Sequence, residues 1–402
     1  MSQQDTSLPF EPLSYDDWRA LAEKELKGKS FDEFLKWNNI SGLELESWQQ
    51  TRPAQNTSLP ALTEPWKIVE PVFETDAIAA NRRALDALMA GAEAIWFEKS
   101  FHGAAAKVAC ANIDQAIAPT LINQSTHSDV YKPLLKSSAE SLLPSNNGIQ
   151  LNGVRLRERG ANIIQEVAFL IAQGIEQLNS TKNHRILFRT GIGTSYIAEL
   201  CKVRALRLLW SRVLSASGNS AENPIILAQN LCIDYSRNDE HTNILRAVSS
   251  AMAAVSGGVQ FVMIQPWDRH WKDLNGFSSR ISRNIQVLLK EESKMDKNLN
   301  PADGSYFLEN LTLQMANEAW TLVQEVESVG GFTVYAKSGK LKAAMDKERN
   351  KLIDAYSDKK VLLGVNKYRP SEIREDVAPN VSKYDLLPNY VFIPTDIKSF
   401  SA

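Results

Sequence analysis

Between residues 61 and 368 the sequence alternates short apolar runs with longer stretches whose apolar residues recur every three or four positions. The short runs predict strands at Ala94–Phe97, Gly148–Leu151, Arg185–Phe188, Pro224–Ala228 and Val259–Ile264, with a later candidate at Phe332–Tyr335. The longer stretches predict helices over Asp76–Ala90, Ala161–Leu178, Thr194–Val213, Asn243–Val255, Ser278–Glu292 and Ser305–Ser328. Repeated strand-helix alternation implies parallel strands with helices packed outside them. About eight such units fit an α/β fold, a (β/α)8 TIM barrel with an extended N-terminal arm, and an open doubly wound sheet is the alternative.

Residues 1–60 break the alternation. They hold one marked helix within Pro-, Asn-, Gln- and Ser-rich sequence, which reads as an arm. Ser14 can cap the helix, Asp16 and Asp17 favour its positive end, and Gly28 can end it in a left-handed conformation. Trp18, Leu21, Ala22 and Leu26 share one face, which must cover its own barrel or another subunit. The expected organisation is the arm (1–60), the barrel (61–368) and a Pro-, Asn- and Asp-rich connector or wrap (369–402).

Composition narrows the function. Lys and Arg number 45 against 47 Asp and Glu, a net charge of −2, so the chain has no overall electrostatic footprint for nucleic acid. Cys110, Cys201 and Cys232 lie far apart with no metal-ligand spacing, so no metal site is expected and a reduced compartment fits. No apolar run approaches the ~20 residues of a membrane span, and the N-terminus lacks a signal pattern. A cytoplasmic protein that does not enter a membrane is expected.

Few patterns suggest chemistry. In FRTGIGTSYIAEL, Gly191 and Gly193 follow a strand and Thr194 can cap the next helix, but Tyr196 stands where a dinucleotide fingerprint needs a small residue. The segment reads as a tight strand-to-helix turn. The histidines (His102, His127, His184, His241, His270) form no metal pair, and Asn238–His241 suits a helix start better than a metal. In GVRLRERG, Arg155, Arg157 and Arg159 alternate on what reads as a strand end, where barrel enzymes place active-site loops. They can clamp a carboxylate or phosphate, or form a solvated face paired with Glu158. Trp267 and Trp271 can stack on a flat ligand, although large rings more often fill a core or interface.

Several segments, taken together and in order, resemble the methylmalonyl-CoA mutase family. They are SYDDWRALAEKELKGK, GTSYIAELCKVRALRLLW, HTNILRAVSSAMAAVSGG, FSSRISRNIQVLLKEES, NPADGSYFLENLT, EVESVGGF and LLGVNKYRP. The resemblance implies an acyl-CoA-binding (β/α)8 barrel, threaded by CoA, followed by a cobalamin domain. The Asp-x-His-x-x-Gly motif, whose His ligates cobalt in that domain, does not occur in this sequence. No cofactor is therefore expected on this chain itself.

The family's site positions are replaced. The Tyr of Arg-Pro-Trp-x-Ile-Arg-Gln-Tyr falls at Pro71 in EPWKIVEP. The Gln of Gly-Tyr-His-Met-Gln-Glu-Ala-Gly falls at Arg157, and its His at Arg155. Aligned on Gln229, the carboxylate-binding Arg falls at Ile225, and the active-site His falls near Met263 or Ile264. Ile binds no carboxylate, and neither Met nor Ile donates a hydrogen bond to a thioester carbonyl. The resemblance is to the small (beta) subunit, a catalytically degenerate partner of a large catalytic subunit in a heterodimer that uses adenosylcobalamin. Trp18 and Leu21 would contact that partner, and Arg155, Arg157 and Gln229 are the candidate acyl-CoA or anion contacts. The alternative is an active barrel taking another acyl-CoA, with a cobalamin domain supplied in trans.

Overall fold

The computed structural model describes residues 13–122 and 149–368, apart from positions 40, 52, 54–56, 100, 102, 182–185, 220–223, 237–238, 271, 273–274 and 359–360. The arm opens with α1 (Tyr15–Glu25), whose N-cap Ser14 accepts from the Asp17 amide, as expected. The helix ends at Glu25, ahead of Lys27 and Gly28, which both take positive φ. Where the sequence suggested a single helix, the arm also carries α2 (Phe31–Leu35) and a hairpin of β1 (Lys36–Asn38) and β2 (Glu44–Glu46). Runs this short have too few residues to show a period.

Trp18 is half-buried in an aromatic cluster inside the arm, its ring 4.8 Å from Trp48 and 5.8 Å from Phe31, while Leu21 on the same helix is 53 % exposed. The hairpin belongs to the main core. Leu43, between its strands, is fully buried there, and Trp37 packs edge-on against Phe307.

The barrel strands are β3 (Lys67–Val72), β4 (Ala94–Phe97), β5 (Thr120–Ile122), β6 (Ile149–Asn152), β7 (Ile186–Ile192), β8 (Ile225–Asn230) and β9 (Phe261–Met263). All pair in parallel, in the order β5-β4-β3-β9-β8-β7-β6. The first strand of the series pairs with the last, so the sheet curls round as a (β/α)8 barrel does. β5 and β6 are its edges among the described residues, and the stretch between them lies outside those residues. Two strands went unread in the sequence. β3 carries Glu70, buried between Arg83 (2.8 Å) and Arg283 (3.0 Å), so a charge hides its apolar character; β5 has only three residues.

Helices α3 (Ala77–Met89), α4 (Gly103–Ala109), α5 (Gly153–Glu158), α6 (Ile163–Thr181), α7 (Tyr196–Ala216), α8 (Thr242–Gly257) and α9 (Gly276–Glu291) follow strands; α10 (Tyr306–Ser328), α11 (Phe332–Lys337) and α12 (Lys340–Asp358) complete the shell. The candidate strand Phe332–Tyr335 is α11 instead. Phe332, Tyr335 and Ala336 bury one helical face, and Gly330 and Gly331, both at positive φ, break it from α10. No helix among the described residues is long and apolar enough to cross a membrane.

Arg207 on α7 ties the stretch after the hairpin to the barrel. Its Nη2 donates to the Pro60 carbonyl at 2.9 Å and its Nη1 to Gly257 at 3.2 Å; burial, with Arg204 beside it, pushes its pKa down to about 10. Arg207→Ala is expected to lower stability by about 2 kcal/mol. It should also open the chain near Pro60 to limited proteolysis, and an unchanged urea midpoint would refute the tie.

Candidate functional site

Residues alternate between the two faces of each barrel strand. Ile95, Phe97 and Val72 face the helices, whereas Val69, Ala94, Trp96, Leu121, Leu187, Leu227 and Met263 meet inside. These interior side chains are at most 3 % exposed, so a packed layer fills the barrel axis.

Above this layer, at the C-terminal ends of the strands, polar groups close over one another. Arg189 of β7 is 4 % exposed, and its guanidinium lies 4.4 Å over the Trp96 ring. Its Nε (3.0 Å) and Nη2 both donate to Gln229 Oε1. Trp96 donates to Glu98 at 2.8 Å, and Arg269 stands 4.0 Å from Glu98 and over the Phe73 ring. Arg269 also donates to Gln265 Oε1, and the Gln265 backbone N–H donates to Asn230 Oδ1.

This mouth gathers some of the residues singled out in the sequence. Pro71 is in register with Trp96, Gln229 is the acceptor for Arg189, and Arg155 lies near enough to Arg189 to act on its charge. Three others lie elsewhere. Ile225 opens β8 and packs low in the barrel, Ile264 is buried on the helix side, and Arg157 sits outside the sheet.

Arg155 and Arg157 do not alternate on a strand. Asn152 accepts from the Arg155 amide and starts α5 there, turning the chain off the sheet. Arg157 is spent on structure: it reaches Glu199 at 3.3 Å, Glu166 at 3.6 Å and the Ala161 carbonyl at 3.2 Å. Lys202 joins them, 2.8 Å from Glu166 and 2.5 Å from Glu199, and Glu166 also accepts from Thr190 (2.7 Å) and the Gly191 amide (2.8 Å). Two cations and two carboxylates thus balance in a buried knot.

Of the two glycines read as a turn after the strand, Gly191 lies inside β7, paired with Gln229, and only Gly193 belongs to the strand-to-helix turn. Thr194 does not cap α7 but donates to Asp234 at 3.2 Å, and the N-cap is Ser195, without a side-chain bond. The turn borders a cleft of about 550 Å³ whose walls include Asn38, Arg157, Asn162, Asp234 and Glu348. Gly160, at φ +104°, lets Arg349 of α12 pack within 2.5 Å of where a Cβ would stand.

His241 occupies the N-cap position of α8 without a side-chain bond and packs 5.1 Å from Trp267. His270 is held neutral by burial and Arg269, its pKa pushed down to about 3. His102, His127, His184, Asn238 and Trp271 lie outside the described residues. Burial pushes the Cys201 thiol up to about 12, so it is inert. No metal-holding group of His, Cys, Asp or Glu occurs among the described residues. The sequence reading passed over Arg189 and Trp96; the available signal was an arginine inside the apolar run ILFRTGI.

The family model for methylmalonyl-CoA mutase matches residues 128–386. The methylmalonyl-CoA mutase small subunit of Porphyromonas gingivalis is 27 % identical over 89 % of this chain and 70 % of its own length. The large subunit of that organism is 32 % identical over 58 % of this chain and 35 % of its own, and the Escherichia coli mutase 32 % over 56 % and 34 %. The chain spans about two thirds of the Cereibacter sphaeroides mutase (64 %) at 27 % identity.

Proposed function

Since the chain belongs to the methylmalonyl-CoA mutase family, we propose that it is a small subunit that has given up catalysis and supports a large catalytic subunit. The assembled heterodimer would interconvert methylmalonyl-CoA and succinyl-CoA with adenosylcobalamin. The observation that carries this reading is the filled interior: Trp96, Met263, Leu187 and Leu227 occupy the axis along which an acyl-CoA would thread. Among the described residues, these mutually packed side chains stand where a pantetheine arm would have to pass.

The mouth supports the same reading. Where the resemblance calls for a phenol, Pro71 lies beside Trp96 and offers neither a hydroxyl donor nor an aromatic ring. Adenosylcobalamin does not fit the described residues of this chain. Arg189, Gln229, Arg269 and Phe73 crowd the mouth, and His241 packs against Trp267, which leaves no broad face there for a corrin among the described residues. The cofactor would belong to the partner. Relatives named small and large subunits occur in one organism, which supports a two-chain assembly. Leu21, exposed on α1, is the arm's candidate contact, and Trp18 holds the arm's own fold beneath it.

The test is an isomerisation assay with methylmalonyl-CoA and adenosylcobalamin on the chain alone, on a large subunit from the same source, and on the mixture, with acyl-CoA binding to the isolated chain measured in parallel. The expected result is co-purification, turnover in the mixture and no saturable acyl-CoA binding by this chain. Turnover or saturable binding by the chain alone would show a working site and overturn the reading.

A further inference from the structure

Arg189 is a buried charge without a counter-charge in contact. It is 4 % exposed, both of its hydrogen bonds go to one neutral oxygen, Gln229 Oε1, and it forms no salt bridge among the described residues. A guanidinium withdrawn from water in this way is strongly disfavoured unless an anion compensates it. Stacking on Trp96 at 4.4 Å fixes its plane and the edge from which it donates.

A second buried donor lacks an acceptor nearby. Gln265 is 1 % exposed; its Oε1 accepts from Arg269, which makes Nε2 the donor end, and Nε2 has no hydrogen-bond partner. Its backbone bond to Asn230 sets it next to Gln229 at the top of the sheet. Arg155 and Arg269 crowd Arg189 with positive charge, while Glu98 and Glu158 act on it without an ion pair in contact.

We propose that the barrel mouth binds a small carboxylate anion, its oxygens received by Arg189 and by the side-chain amide of Gln265. The filled axis below, with Leu187, Leu227 and Met263, admits no long tail, so the ligand is small and enters from the C-terminal face. A carboxylate matches the planar guanidinium fork and supplies the single negative charge that Arg189 lacks in contact, whereas a phosphate brings nearly two. The inference goes beyond the partner reading and does not rest on it.

The test titrates the full chain with acetate, succinate and inorganic phosphate, followed by calorimetry and thermal midpoint. The expected result is saturable carboxylate binding that raises the midpoint by about 3 °C at a hundred times the dissociation constant. Arg189→Met should weaken binding about 100-fold while keeping or raising the unliganded midpoint, because an apolar side chain replaces an uncompensated charge. Gln265→Leu should weaken it about tenfold, and it decides the matter if Arg189→Met does not fold. No response to either carboxylate, phosphate binding in preference to them, or carboxylate binding unchanged in a folded variant would overturn the proposal.

Discussion

Glu166→Ala is expected to lower the free energy of unfolding by about 3–5 kcal/mol, because it breaks a buried charge network and leaves its cations uncompensated. Glu166 has no exposed surface, and the substitution strips Lys202 of one of its two carboxylates and Arg157 of a neighbour at 3.6 Å. It also orphans the Thr190 hydroxyl and the Gly191 amide at the end of β7. Glu166→Gln, which keeps an acceptor and the side-chain volume, should lose less. Urea denaturation of the two variants checks this, and equal midpoints for wild type and Glu166→Ala would mean that the knot contributes nothing.

Trp96→Ala should cost a similar ~3–5 kcal/mol, by a different route. The indole fills the axis between Val69 and Leu121, donates to Glu98, and carries the Arg189 guanidinium on its face. Its removal leaves a cavity in the interior layer and a buried cation without its ring. Trp96→Phe keeps the face and loses the Glu98 bond, so about 1–2 kcal/mol is expected. Thermal or urea unfolding with both variants separates the contribution of packing from that of the hydrogen bond.

The barrel was legible because five of its strands are apolar runs bounded by turn residues, and Ala94–Phe97 is matched to the residue. β3 was hidden by Glu70, whose charge is neutralised by Arg83 and by Arg283 from a helix far later in the chain, a pairing that no local pattern reveals. α5 escaped for a related reason. The alternation of Arg155, Arg157 and Arg159 imitates a strand, and only the cap from Asn152 and the pull of Glu199 on Arg157 turn the segment into a helix. At the mouth, Gln229 was found from its place in a motif. Arg189 was not, because an arginine in an apolar run says nothing about what faces it across the barrel.

The hairpin of the arm has a consequence for how the molecule is made. Leu43 joins a cluster that includes Leu311 and Met315, and Asn310 bonds Gln49 across 261 positions of sequence. A ribosome delivers the N-terminus first, so the hairpin emerges long before the helix that receives it. Until α10 is made, Trp37 lacks Phe307 and Gln49 lacks Asn310, and closing so long a loop comes late in folding. The arm is thus the first segment synthesised and among the last to settle, and through that interval its apolar residues stay exposed to other chains.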